Sequence, residues 1–169
     1  MHPVLFLILL FLAISVLVTY YFYLIKDSHT SYINHPFWFN TPENIVKILI
    51  FFQIFAAIGF LTTISSWLIN PPKKGIMKDN MLFYTLCLFF ISAIAWPIAT
   101  HHKSHFLTVF SLILTAIASI LLLAGTIEED KNDIKWYKVL GMLCLCITTV
   151  LGDGVIWNAN YILTIKEQS

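Results

Sequence analysis

Charge is scarce in this sequence, and arginine is absent. Charged residues make up 11% of the 169 residues, and all ten basic residues are lysines, whereas a soluble domain usually carries about 25% charged residues. Water is therefore not the main solvent of this chain. The formal net charge of +1 leaves no basic stripe of the kind that binds nucleic acid, so we expect no nucleic-acid partner.

The motifs of metal and catalytic sites are also missing. Cys87, Cys144 and Cys146 lie in apolar runs without CxxC or Cys/His spacing, which argues against a metal site or a disulfide framework. The chain has no nucleophile elbow, phosphate-binding glycine loop or HExxH motif, each of which would indicate a known chemistry. Three histidines crowd one loop at 101–105, whereas bis-histidine haem ligation needs imidazoles facing each other from different helices. We therefore predict no catalytic residue, no metal ligand and no intrinsic cofactor, and a non-enzymatic role is the favoured interpretation.

Hydrophobic residues, in contrast, are abundant and continuous. They make up 59% of the chain, and the mean hydropathy is +0.81. They fall in uninterrupted blocks of about the 17–25 residues that an α-helix needs to cross the hydrocarbon core. We predict an all-α integral membrane protein, a five-transmembrane-helix bundle in which residues 1–169 form a single membrane domain within the lipid bilayer. The predicted spans are residues 3–25, 42–69, 81–100, 105–125 and 136–163, and the organelle stays open.

Local signals predict how some of these helices begin and how they are connected. Thr41-Pro42-Glu43 predicts an N-cap at Thr41, because a hydroxyl, a proline in the first turn and an acid at the positive end favour a helix start. Only residues 101–104 separate the third span from the fourth, so these two helices are predicted to be antiparallel neighbours.

Small residues predict how the helices pack, since membrane helices approach closely where glycine, alanine, serine and threonine line one face. The second span carries one such stripe and the fourth span another. The stripes consist of Ala56, Gly59, Thr63 and Ser66, and of Ser111, Thr115 and Ser119.

Asp153 is the most informative single residue, because it lies between two glycines within the fifth span. An uncompensated charge there costs about 2.5–3.5 kcal/mol or more. In an α-helix, Thr149, Asp153, Trp157 and Asn160 share a face by their i, i+4, i+8 and i+11 spacing, which predicts a polar stripe directed into the bundle. Two interpretations stay open, namely a ligand or proton site and a hydrogen bond that fastens neighbouring helices together.

Trp96-Pro97 in the third span places a helix-distorting proline and a large amphipathic ring near the end of that span. This pair fits either a pocket wall or an interfacial tryptophan above a helix-ending proline. If the protein has a site, we expect it where the fifth span faces this pair. The predicted ligand-binding residues are Trp96, Pro97, Thr149, Asp153, Trp157 and Asn160.

Three local stretches resemble those of a known family. They are His35-Pro36-Phe37-Trp38 followed by Thr41-Pro42, then Trp96-Pro97, and finally Thr149 to Asn160. Together with the chain length, five spans and the short third-to-fourth link, they resemble the translocator proteins, or tryptophan-rich sensory proteins, which are five-helix membrane proteins that bind porphyrins and sterols. This chain has Asp153 where the family has asparagine. Val155, Tyr161 and Lys166 also match a loose cholesterol-recognition pattern.

These observations lead to three functional hypotheses. The first is a non-enzymatic membrane protein that binds or transports a hydrophobic small molecule between its helices, for which the resemblance implies a tetrapyrrole or sterol-like ligand. The second is a structural accessory subunit of a larger membrane complex, packed through the small-residue stripes. The third is a small proton-coupled channel or carrier centred on Asp153. Whether the chain forms a homodimer or joins a larger complex stays open.

Overall fold

Helices dominate the computed structural model, which describes residues 3–26, 38–39, 41–70, 72, 75–78, 80–128 and 136–168. The α-helices are α1 (Pro3–Tyr20), α2 (Glu43–Ile69), α3 (Met81–His101), α4 (His105–Glu128), α5 (Trp136–Cys146) and α6 (Asn158–Gln168). A short π-helical turn, Tyr21–Ile25, continues α1, and a longer π-helix, Ile147–Trp157, joins α5 to α6. No strand occurs among the residues described, as the all-α prediction requires.

Five stretches of the described chain are long and apolar enough to cross a membrane. They are Val4–Tyr23, Glu43–Ile69, Met81–His101, His105–Glu128 and Trp136–Ile165, which we call the first to fifth spans. Their number confirms the prediction of five apolar helices, which is compatible with a multi-pass membrane protein. The fourth helix ends at Glu128, three residues beyond its predicted end at residue 125.

The third and fourth spans are antiparallel neighbours, as predicted from their short link. Thr115 Oγ1 donates to Ser92 Oγ at 2.8 Å, and Thr100 Oγ1 lies 3.4 Å from Thr108 Oγ1. The chain reverses through Lys103, whose φ of 56° is left-handed. The stripe of Ser111, Thr115 and Ser119 is buried.

Backbone contact joins α2 to α5. A Cβ atom built on Gly59 would lie 2.0 Å from the Cα of Gly141, so no side chain fits between the two helices at this point. Ala56 and Thr63 on the same stripe are buried, whereas Ser66 is half-buried. The small-residue stripe of α2 thus serves the close helix packing that it predicts.

The third, fourth, fifth and second spans follow one another around the bundle, and the first span packs on the third. The fourth packs on both the third and the fifth, and the second on the fifth. Phe60 of the second span stacks on Phe89 of the third at a centroid distance of 5.3 Å, which closes a ring of these four spans. The helices therefore surround an interior toward which the fifth span can direct side chains.

Two local predictions are wrong. Thr41 is not an N-cap, because α2 begins at Glu43 after Pro42, and no side chain caps its first turn. The fifth span is not a continuous α-helix, because Ile147–Trp157 is a π-helix. A π-helix bonds residue i to residue i+5 and has about 4.4 residues per turn. The α-helical spacing from which the polar stripe was predicted therefore does not hold over these residues.

Candidate functional site

Four aromatic rings meet where the fifth span reaches the end of the third. The Trp157 ring packs edge-on against Trp96, with centroids 5.4 Å apart, and is stacked on Tyr161 at 4.9 Å. Phe39, which precedes α2, contacts Trp157 at 5.3 Å and Tyr161 at 5.2 Å. We call Phe39, Trp96, Trp157 and Tyr161 the aromatic cluster.

Pro97 follows Trp96 of this cluster within α3. It is buried, and the helix continues past it to His101, so it does not end the helix as the interfacial interpretation requires. Proline has no N–H group to donate to the carbonyl oxygen four residues earlier, here that of Ala93. The Trp96 ring is likewise buried and lies inside the bundle rather than at an exposed interface.

Hydrogen bonds fasten the cluster to the surrounding helices. Trp96 Nε1 donates to the Tyr20 hydroxyl at 3.2 Å. The Tyr161 hydroxyl lies 2.6 Å from His105 Nδ1 at the start of α4. Tyr20 and His105 were not among the predicted site residues, because nothing in their local sequence marks them as partners of a distant aromatic group.

Two predicted site residues, Thr149 and Asn160, have polar groups that already bond to protein. Thr149 Oγ1 lies 2.7 Å from Ser119 Oγ and donates to the Leu145 carbonyl oxygen at 2.9 Å. Asn160 Nδ2 donates to Thr41 Oγ1 at 2.8 Å. Thr149 therefore joins the fifth span to the fourth, and Asn160 joins α6 to the chain before α2.

Asp153 faces the interior of the bundle. On its π-helix, Thr149 contacts the fourth span, and a Cβ on Gly152 would approach the Leu49 side chain of the second span. At about 4.4 residues per turn, Asp153 projects between these two directions, whereas Leu151 and Val155 on the opposite side are exposed.

Asp153 is half-buried, whereas Gly152 and Thr149 on the same π-helix are buried. The Asp153 side chain makes no hydrogen bond or ion pair with any residue that the structure describes. The interpretation that Asp153 fastens two helices together therefore receives no support from the described contacts.

A second polar atom without a partner lies one turn further along. Asn158 is 7% exposed, and its Oδ1 is buried without a hydrogen-bond donor among the described residues. Its Nδ2 donates to the Gly154 carbonyl oxygen at 3.1 Å, which fixes the orientation of the amide. Asn158 was missed because the α-helical repeat places it off the Asp153 face; a five-residue spacing would have found it.

The structure thus places the six predicted site residues in three groups. Trp96, Pro97 and Trp157 belong to or adjoin the aromatic cluster, Thr149 and Asn160 form bonds between helices, and Asp153 faces the interior. Among the described residues, no group of three histidine, cysteine or acidic side chains is arranged to hold a metal ion.

No family model, curated protein or solved structure matches the chain. The similarity to the translocator proteins therefore still rests on the residues quoted above. Of these, His35, Pro36 and Phe37 lie outside the described residues, as does the side chain of Lys166. Tyr161 is 3% exposed whereas Val155 is 55% exposed, so these two members of the cholesterol-recognition pattern do not share a lipid-facing surface.

Proposed function

We propose that this chain is a non-enzymatic membrane protein that binds a hydrophobic ligand between its helices, beside Asp153 and the aromatic cluster. The observation that carries the proposal is Asp153, which is half-buried and faces the interior, and whose side chain has no partner among the described residues. A polar group in such a place is stabilised by a bound molecule, a proton or water.

The surroundings of Asp153 suit a ligand that is mostly apolar. Trp157 and Trp96 supply large rings on one side, and pockets for small molecules are typically lined by aromatic side chains around a few polar groups. The rings pack against one another, and Trp157 is only 2% exposed. We therefore place the ligand beside Trp157, toward Asp153, and not between the rings of the cluster.

Quenching of tryptophan fluorescence tests the proposal. The purified protein in lipid nanodiscs is titrated with a porphyrin, as a tetrapyrrole probe, and with a fluorescent sterol. We expect saturable quenching, and we expect Trp157→Phe to remove a large part of the signal. Trp136→Phe is the matched control, because Trp136 belongs to the same span but is 72% exposed. Quenching that does not saturate for either probe would contradict the proposal.

A proton-coupled carrier centred on Asp153 is the second candidate, and the unpartnered carboxylate favours it. Proton relays in membranes use acids that face the interior of a helix bundle. In liposomes, proton or ligand flux should then depend on pH and fall in Asp153→Asn. Flux that responds to neither change would reject the carrier and leave the binding protein in place.

An accessory subunit remains the third hypothesis, and no described contact favours it over the other two. Gentle detergent extraction separates it from them. A stable monomer or homodimer that copurifies with no other protein would contradict a subunit role.

A further inference from the structure

We infer that the ligand of this site carries a protonated amine or another N–H donor beside Asp153, and not a carboxylate. This inference rests on the proposed binding function and narrows it to one chemical class. It follows from the hydrogen-bonding groups near Asp153. The donors that the structure describes there have acceptors, whereas two acceptors, the Asp153 carboxylate and Asn158 Oδ1, have no donor among the described residues.

The donors at the two ends of the site already have acceptors. Trp96 Nε1 bonds to the Tyr20 hydroxyl, and Asn160 Nδ2 bonds to Thr41 Oγ1. Neither group can turn toward Asp153 without giving up that bond. An incoming carboxylate would therefore find no ready donor in either residue.

The hydroxyl groups that line the adjoining helices are also occupied. Thr149 Oγ1 and Ser119 Oγ lie within hydrogen-bond distance of each other and, in each case, of a carbonyl oxygen of the same helix, so acceptors are at hand for both hydroxyl hydrogens. The one hydroxyl hydrogen of Thr115 has two acceptors within reach, Ser92 Oγ and the Ser111 carbonyl oxygen. These groups satisfy one another and the backbone, so they leave Asp153 without a donor.

Two acceptors remain, and they lie on one side of the fifth span. The backbone N–H of Asn158 donates to the carbonyl oxygen of Asp153, which sets the two residues one helical turn apart. The Asp153 carboxylate has no partner among the described residues, and neither has the buried Asn158 Oδ1. A buried acceptor without a donor costs free energy. A donor that does not belong to the described residues would remove this cost on this side of the fifth span.

An ammonium group satisfies this requirement better than the other common head groups. It provides three donors and no acceptor, and its positive charge compensates the carboxylate in a medium of low dielectric constant. A hydroxyl group supplies one donor and no charge. A carboxylate on the ligand would add repulsion next to Asp153 and a further acceptor without a donor.

Three pyrene probes that differ in one substituent test this inference, namely 1-pyrenemethylamine, 1-pyrenemethanol and 1-pyrenecarboxylic acid. Each is titrated at neutral pH into the protein in nanodiscs of zwitterionic lipid, and quenching of tryptophan fluorescence by the pyrene gives Kd. The variants are Asp153→Asn and, as a matched acid-to-amide control, Glu43→Gln. Glu43 is exposed at the start of α2, where it pairs with Lys47.

We expect the amine to bind the wild-type protein at least about tenfold more tightly than the alcohol, which corresponds to one charge-assisted hydrogen bond. The acid should bind most weakly. Asp153→Asn should remove the preference for the amine, whereas Glu43→Gln should retain it. Unchanged alcohol binding by Asp153→Asn would show that this variant is folded.

Other outcomes of this titration would overturn either the inference about the ligand class or the proposed binding function. Equal affinity for the three probes, or tighter binding of the acid, would overturn the inference about the ligand class and leave the proposed function standing. A preference for the amine that persists in Asp153→Asn would also overturn it, because the preference would then arise elsewhere. Equal affinities that Asp153→Asn does not alter would indicate that water satisfies the two acceptors. Quenching by none of the probes would contradict the binding function itself.

Discussion

The two halves of the fifth span belong to one apolar stretch but are held in the bundle in different ways. The first half, Trp136–Cys146, is an α-helix whose Gly141 touches the backbone of Gly59. The second half, Ile147–Ile165, begins as a π-helix and carries an acid, two asparagines and the stacked rings of Trp157 and Tyr161. Close apolar packing thus fastens the first half, whereas the second half has polar atoms that packing does not use.

The largest expected effect comes from removing the central ring of the second half. Trp157→Ala deletes a ring that contacts Trp96, Tyr161 and Phe39, and truncation of a buried tryptophan typically costs about 3–5 kcal/mol. The free energy of unfolding is measured by titrating the protein with dodecyl sulfate in mixed micelles. Trp136→Ala, at the exposed start of the span, should change it little, and similar losses for the two variants would show that the cluster adds no stability.

The glycine contact of the first half should give the next largest effect. In Gly141→Ala, the new methyl group meets the Gly59 backbone, which cannot rotate away, so we expect a loss of about 3 kcal/mol. In Gly152→Ala, it meets only the end of the Leu49 side chain, which can rotate, so a loss below about 1 kcal/mol is expected. Equal losses in the same micelle titration would contradict the distinction between the halves.

Most of the fold could be predicted from the sequence because its determinants are local. Run lengths predict five spans, the short link at 101–104 predicts the antiparallel third and fourth helices, and the Gly59 stripe predicts close packing. The π-helix at Ile147–Trp157 could not be predicted in this way. The span is apolar around its whole circumference except at a few positions, so no hydrophobic period distinguishes 3.6 residues per turn from a wider winding.

The candidate site could be predicted only in part, because a side chain's partner is a property of the tertiary structure. The glycine-flanked Asp153 is conspicuous in sequence, and so is Trp96. That Asn160 bonds to Thr41 depends on residues 119 positions apart, which no local pattern relates. Asn158 was missed for a different reason, since an α-helical spacing was assumed where the chain is more widely wound.

Replacing the unpartnered acid of the second half should raise the stability of the protein. Asp153→Asn removes a carboxylate that no described residue compensates, and we expect a gain of about 1 kcal/mol in the free energy of unfolding, since functional sites often carry such a cost. Glu43→Gln should have little effect, because the Glu43–Lys47 pair is exposed. If Asp153→Asn instead destabilises the protein, the carboxylate has a stabilising partner and its assignment to a ligand site is wrong.

The smallest expected effect lies where the two halves join, at a pair of adjacent threonines that are both buried. Thr149 bonds across to Ser119 on the fourth span, whereas the Thr148 hydroxyl donates only to carbonyl oxygens of its own helix. Hydrogen bonds between membrane helices contribute about 0.6 kcal/mol on average, so Thr149→Val should lower the free energy of unfolding by about that amount and Thr148→Val by less. Combining Thr149→Val with Ser119→Ala should add little further loss, because the first substitution has already removed the bond between the spans. Additive losses would show that the two hydroxyls act independently, in which case no hydrogen bond between Thr149 and Ser119 stabilises the second half of the span.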